Sequence, residues 1–301
     1  MAGREAIIID WGTTNFRAYR FDSAGEPVAE HRAAAGILSV ADGAFEAVLD
    51  RQIGAWITSD SELLFSGMIT SRNGWVETPY AETPASLEAL AAASVHRRHA
   101  SGATMRFLPG VAMRHPVPDV MRGEEIQVFG ACVPEEESIV VLPGTHSKWV
   151  RHHTGRIEAF HTFMTGEIYA ALKGHTILGR LLPEGATGAP GAFAEGVRHM
   201  RSHAGAGLLH AAFSARSRVL FDELAPADIG EYLSGIVIGA EMAGGLALGW
   251  NPASLRLVGE PPLTARYAEA ARIFGLASQI APADTTIRGF RRLAALKEPD
   301  A

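Results

Sequence analysis

The sequence predicts an α/β protein of two domains, and three observations carry that reading. Its 301 residues fit two domains of roughly 150 residues each better than one. Short apolar, strand-like runs alternate with turn clusters and with stretches of three-to-four apolar spacing. Finally, an apolar run that ends in a Gly-Thr turn and returns as a strand occurs twice, at residues 7–17 and 140–150.

Ala6–Ile9 reads as a strand closed by Asp10-Trp11-Gly12-Thr13-Thr14-Asn15, with a second strand at 16–22, a turn at 23–27 and a third strand near 28–31. That is a hairpin opening and not a strand–helix–strand unit. Residues 43–57 place Phe45, Val48, Leu49, Ile53 and Trp56 on one helical face. A strand at 62–69, a helix at 86–96 and a strand at 105–111 follow, and the His115-Pro116-Val117-Pro118 loop is the expected crossing between domains 1–118 and 119–301. The second domain opens with a helix at 124–133, a buried strand at 138–142 and strands at 147–153 and 156–164. Helices are expected at 165–174, 192–203, 207–221, 229–248 and 263–275, with a strand at 254–258 before the last of them. There is no repeat with a period of 20–50 residues.

Composition narrows the function classes. Hydrophobic residues at 47% and charged ones at 20% suit a packed core and not a disordered chain. A net charge of −6 with no basic tail argues against nucleic acid. Cys132 is the single cysteine, so no internal disulfide forms and a reducing cytoplasm is expected. Arg4 and Glu5 before a strand-length apolar run do not make a signal peptide. Tyr232–Trp250 is 19 residues long with one charge, Glu241, and is read as a buried core helix and not a membrane span.

Familiar signatures are missing. None of the three lysines follows a glycine, so there is no P-loop, and Gly205-Ala206-Gly207 lacks the third glycine of a dinucleotide fingerprint. His199 and His203 are four apart, without an evident third metal ligand. What remains are the two hairpins. In the first, Gly12, Thr13, Thr14 and Asn15 would set amides and hydroxyls around an anion while Asp10 holds hydrated Mg²⁺; taken alone, the segment is equally a hairpin turn in which Asp10 satisfies nearby amides. In the second, Gly144, Thr145, His146 and Ser147 form the turn, and Lys148 follows as a compact point charge suited to phosphate.

These residues resemble a known family. IDWGTTNFRAY (9–19), GMITSRNGW (67–75), MRGEEIQ (121–127), LPGTHSKWV (142–150), FMTGEIYAAL (163–172), LSGIVIGAE (233–241) and LTARY (263–267) run in the order of the 2-dehydro-3-deoxygalactonokinase family, within the actin, sugar-kinase and Hsp70 superfamily. The resemblance implies two ribonuclease-H-like lobes around an interdomain ATP cleft. It also implies transfer of the ATP γ-phosphate to 2-dehydro-3-deoxy-D-galactonate, with Mg²⁺ and in galactonate catabolism. The expected partners are then ATP and a sugar acid, with no nucleic acid and no membrane. Two rival readings stand beside it: a kinase for 2-dehydro-3-deoxy-D-gluconate or another sugar acid, and a non-catalytic ATP-binding regulator of the same fold.

Further roles follow from the resemblance. A carboxylate at the start of the 124–133 helix serves as base; Glu124 and Glu125 compete, and Glu124 is preferred because Gly123 leaves room for substrate. Arg17, Arg72 and Arg122 are candidates to clamp the acceptor's carboxylate, Asn73 and Thr14 to meet its hydroxyls. Trp11 and Trp75 lie beside the sugar or in the core. Gly259 would let backbone approach the adenosine, although Glu260-Pro261-Pro262 follows where relatives carry small or hydroxyl residues. The oligomeric state stays open, a homodimer included, with the 207–221 helix as the place to look for an exposed apolar face.

Overall fold

The computed structural model describes residues 5–296, and Arg4 lies outside them. The chain begins with strands β1 (Ala6–Trp11), β2 (Phe16–Phe21) and β3 (Pro27–Ala33), helix α1 (Phe45–Ile53) and strand β4 (Glu62–Ser66). Then come β5 (Tyr80–Glu82), β6 (Ala85–Ser86), α2 (Leu87–Ala92), β7 (Val95–Arg98), β8 (Thr104–Phe107), β9 (Gly110–Met113) and β10 (Asp119–Met121). Next are α3 (Glu124–Ala131), β11 (Ser138–Leu142), β12 (Ser147–His153), β13 (Arg156–Phe163) and α4 (Thr165–His175). The chain ends with α5 (Pro190–Ser202), α6 (Gly207–Leu220), α7 (Ile229–Ala247), β14 (Ser254–Leu257), α8 (Pro261–Ile273), β15 (Ala277–Ile280) and α9 (Thr285–Ala295).

Two compact units form. One holds Met1–Glu136, His152–Ala159 and Asp284–Ala301, the other Glu137–Arg151 and Phe160–Ala283. In the first, the main sheet runs β3-β2-β1-β4-β8-β7. Its β1, β2 and β3 form an antiparallel meander, while β1, β4 and β8 are parallel. In the second, the order β15-β14-β11-β12-β13 repeats that plan, with β11, β14 and β15 parallel. A meander of three followed by two parallel strands on the far side of the first is the ribonuclease-H-like arrangement. The fold class expected from the sequence therefore stands in both units.

Each unit has its own core. In the first, Ile7, Ile9, Phe65 and Phe107 from the sheet pack on Phe45, Leu49 and Ile53 of α1. In the second, Ile139, Val141, Leu255 and Leu257 pack on α5, α7 and α8 through Phe193, Ile238, Met242 and Tyr267. Thirteen of the nineteen α7 residues are buried, which accounts for its nearly uniform apolar sequence. Among the described residues no helix is long and apolar enough to cross a membrane.

The structure differs from the sequence expectations in ways that have local causes. The 114–118 loop is no crossing: it joins β9 to β10, which pair antiparallel through Met113 and Asp119 within the first unit. The division falls instead after Glu136, because α3 and α9 pack against each other and keep 124–131 with the first unit. The strand expected at 62–69 stops at Ser66, where Gly67 takes a positive φ of 92° and leads into a 3₁₀ turn at Met68–Thr70. The helix expected at 86–96 keeps only Leu87–Ala92, with the Ser86 hydroxyl accepting from the Ala89 amide as its cap. The short strands β5, β6, β7, β10 and β15 carry too few residues to show by periodicity; the helix α9 is strongly amphipathic, with Ile287, Phe290 and Leu293 on one face, and adds to the helices expected from the sequence.

The α3–α9 contact sets a clear packing test. A Cβ at Gly289 would lie 2.0 Å from the Ile126 carbonyl oxygen, whereas one at Gly174 in α4 meets nothing within 4 Å. Gly289→Ala is expected to destabilise by about 1–3 kcal/mol. Gly174→Ala is expected to stabilise by about 0.5–1 kcal/mol through helix propensity. Urea unfolding midpoints of the two variants should move in opposite directions.

Candidate active site

In the first unit the β1–β2 turn is held by its carbonyls. Those of Gly12, Thr13 and Thr14 accept from the backbone amides of Ile37, Leu38 and Gly36 at 3.0, 3.2 and 3.0 Å. The Gly12 amide closes the turn on the Asn15 carbonyl at 2.9 Å, while the amides of Thr13, Thr14 and Asn15 have no protein acceptor among the described residues. All three residues are exposed. The turn thus presents unengaged N–H groups outward, the property an anion site requires.

Asp10 stands at the end of β1 directly across from Arg17 on β2, with Arg17 Nη1 4.0 Å from its Oδ2. Burial raises the Asp10 carboxyl to about 6; Arg17 pulls it down and the charge of Glu124 pushes it further up. Asp10 and Glu124 are therefore near neighbours of like charge. Gly67 lets that happen: a Cβ there would lie 2.9 Å from the Trp11 carbonyl oxygen and 3.2 Å from Asp10 Oδ1. Gly123, with φ 110°, sits against Gly67 and starts α3.

The two glutamates at the head of α3 separate cleanly. Glu125 is buried, its two oxygens accept the Gly123 amide at 2.9 and 2.7 Å, and burial raises its carboxyl to about 8. Glu124 is partly exposed and, among the described residues, accepts the Arg122 amide alone, at 2.9 Å, through Oε2. Glu125 closes the helix start, and Glu124 is the more accessible of the two carboxylates.

Of the three arginines, Arg122 is differently employed than the sequence suggests. Its Nη1 donates to the Thr70 carbonyl, the Thr70 hydroxyl and the Thr78 hydroxyl at 2.7, 2.8 and 2.6 Å, and its guanidinium lies 4.3 Å from the centre of the Tyr80 ring. It is a positioning residue that joins the 67–78 loop to α3, and not a free clamp. Arg72 and Asn73 are exposed at the tip of that loop, and Arg72 has no protein partner among the described residues. Trp11 is fully buried, donating from Nε1 to the Ala35 carbonyl at 2.8 Å, and Trp75 packs on Phe45, Phe65 and Phe107. Both tryptophans are core residues.

In the second unit, Gly144, Thr145 and His146 form the β11–β12 turn, with Thr145 and His146 exposed. His146 Nε2 lies 2.5 Å from Glu167 Oε2 on α4. Lys148 is buried, its Nζ donating to the Thr162 hydroxyl at 2.8 Å. Ser147 corrects the sequence reading: its side chain is fully buried and donates to Glu241 at 2.6 Å, so only its backbone belongs to the turn. Gly259 follows β14 beside the same turn, where a Cβ would lie 3.7 Å from the Pro143 carbonyl oxygen. The amides of Leu263 and Thr264 bond to the Glu260 carbonyl, and prolines fill the first two positions of α8, so that helix start offers no amide cluster to phosphate.

The sequence did not expose what holds this half together. Glu241 on α7 is 2% exposed and accepts from Ser147 Oγ, Trp149 Nε1 at 2.9 Å, Thr165 Oγ1 and Tyr267 OH at 2.5 Å. Burial raises its carboxyl, and the four donors oppose that rise. One carboxylate thus ties β12, α4 and α8 to α7. Gly166 seats α4 on the turn, since a Cβ there would lie 2.7 Å from the Gly144 oxygen. The signal available in the sequence was the single charge in an otherwise apolar helix.

Two measurements follow. Because the folded Asp10 carboxyl is raised from 3.8 to about 6, its neutral form is favoured: the stability it lends is full below pH 4 and is lost as pH rises through 6. Asp10→Asn should therefore match the parent near pH 4 and exceed it by roughly 2–3 kcal/mol at pH 8, read from urea midpoints of ligand-free protein. Glu241→Ala strands four buried donors and should cost at least about 3 kcal/mol by the same measurement.

Comparison with known proteins follows the same line. Residues 10–293 match the family described as 2-keto-3-deoxy-galactonokinase. A Rhizobium meliloti (strain 1021) protein described as a probable 2-dehydro-3-deoxygalactonokinase is 38% identical over 287 residues, with 93% of each chain covered. An Escherichia coli (strain K12) 2-dehydro-3-deoxygalactonokinase is 32% identical over 292 residues, covering 96% of this chain and 97% of its own. A crystal structure from Sinorhizobium meliloti, described in similar terms, superposes with a TM-score of 0.89 at 36% identity, covering 96% of this chain and 98% of that one. With the match spanning both hairpins, the head of α3 and Glu241, the chain belongs to the 2-keto-3-deoxy-galactonokinase family.

Proposed function

We propose that the protein is an ATP-dependent kinase that phosphorylates 2-dehydro-3-deoxy-D-galactonate to its 6-phosphate in galactonate catabolism. The observation that carries the reading is the division of labour at the head of α3. Glu124 is partly exposed beside Asp10, while Glu125 is withdrawn into the fold. In this mechanism the acceptor hydroxyl oxygen attacks the γ-phosphorus, its proton passes to Glu124, and the bond to the β-phosphate oxygen breaks to release ADP.

The remaining residues take roles that suit their surroundings. The unengaged amides of Thr13, Thr14 and Asn15 receive phosphate oxygens in the first unit, and the Gly144-Thr145-His146 turn does so in the second. Lys148 supplies a fixed positive charge to the transferring group. Arg17 and Arg72 bind the acceptor's carboxylate, Asn73 a hydroxyl, and Gly259 gives the adenosine room. Asp10, beside Arg17 and Glu124, is the carboxylate that would hold a hydrated Mg²⁺, a cation that takes few carboxylates and several waters. Bound Mg²⁺ neutralises phosphate charge. The reading extends to the cytoplasm as the compartment, which a chain with the single cysteine Cys132 suits.

Glu124→Gln is expected to keep the fold and ATP affinity while lowering kcat by about 10²–10⁴. Glu125→Gln should stay within several-fold of the parent. The assay is ADP release across a panel of 2-keto-3-deoxy sugar acids. Near-normal turnover of Glu124→Gln would remove it from the mechanism. A higher kcat/KM on the gluconate epimer would reassign the substrate. ATP binding with no sugar-dependent ADP release would mark a regulator.

A further inference from the structure

The α6 helix in the second unit is apolar on two faces. Leu208, Ala211, Ala212, Ala215 and Val219 pack on the core, yet four more large apolar residues face solvent: Leu209 is 92% exposed, Phe213 56%, Leu220 62% and the following Phe221 77%. Leu209, Phe213, Arg216 and Leu220 are spaced i, i+4, i+7 and i+11, so they form one stripe along the helix. Folding normally buries large apolar groups ahead of small ones, and a contiguous exposed stripe of this kind marks an interaction surface.

We propose that α6 is the contact through which two copies of this chain associate, antiparallel about a two-fold axis lying between Phe213 and Arg216. The spacing itself argues for a second copy over any other occupant. In an antiparallel pair centred there, Leu209 of one copy meets Leu220 of the other, and Phe213 meets Arg216, each pair occurring twice. An isologous interface needs this kind of self-complementarity. Arg216 has no protein partner among the described residues, so its guanidinium is available to lie on the opposing Phe213 ring. The same register brings the carboxylate of Asp222, just past the end of α6, to the N-terminal end of the opposing helix, where negative charge is favoured. Covering the four apolar residues on both copies removes on the order of 1,000 Å² of surface, the size at which specific interfaces begin.

The contact is independent of the catalytic assignment, because none of these residues belongs to the hairpins or the α3 head. Sedimentation velocity of the whole chain at tens of micromolar tests it. The parent is expected at twice the 32.0 kDa chain mass. Phe213→Glu is expected to be a monomer with unchanged circular dichroism and a melting temperature that, unlike the parent's, does not depend on protein concentration. Arg216→Ala is expected to raise the dimer Kd about five- to thirty-fold, since it deletes two symmetric cation–π contacts. A monomeric parent overturns the proposal, as does a Phe213→Glu variant that remains dimeric. An Arg216→Ala dimer as tight as the parent overturns the register.

Discussion

The buried carboxylate of Glu241 is the constraint on which the second unit depends. A charged group with almost no solvent contact persists only when its lone pairs are satisfied, and four side chains from three other elements do so here. The turn that carries Gly144 and Thr145 therefore has no freedom of its own: its next residue, Ser147, is fastened to α7, and so is Thr165 at the head of α4. Tyr267 brings α8 into the same arrangement, and with it the Gly259 turn that precedes the helix. Removing a buried polar network costs more than its bonds are worth singly, because every orphaned donor keeps its desolvation penalty.

The first unit reaches rigidity by a different route. Its turn is fixed through carbonyls, which the 36–38 backbone takes up, so the amides stay unengaged. Asp10, beside it, carries a raised pKa because it is buried, a rise that Arg17 opposes and Glu124 adds to. The two hairpins look alike in sequence, yet one is anchored by a buried carboxylate with four donors and the other by its own carbonyls.

What the sequence revealed depended on how local the cause was. Both Gly-Thr hairpins, the strands beside them and the long helices were legible because short-range pattern determines them. The preference for Glu124 over Glu125 rests on the neighbouring glycine, whereas the burial of Glu125 depends on how α3 packs and is not local. Long-range partners were not legible. Nothing near Ser147 points to Glu241, 94 residues away, and nothing near Arg122 points to Thr70 and Thr78. The crossing near residue 118 failed for the same reason: prolines mark a loop, but only strand pairing tells whether the loop leaves the domain or turns back into it.

The bonds from Arg122 to Thr70 and Thr78 make the 67–78 loop and the head of α3 a single mechanical piece. The loop's interior is committed, with Trp75 in the core and Thr70 and Thr78 buried, while its tip at Arg72 and Asn73 is not. Evolution and engineering alike are then offered an uneven choice. Residues at the tip can be exchanged while the head of α3 stays where it is. Changes one turn deeper move the loop and the helix start together, so variation is cheapest at two side chains on an otherwise immovable frame.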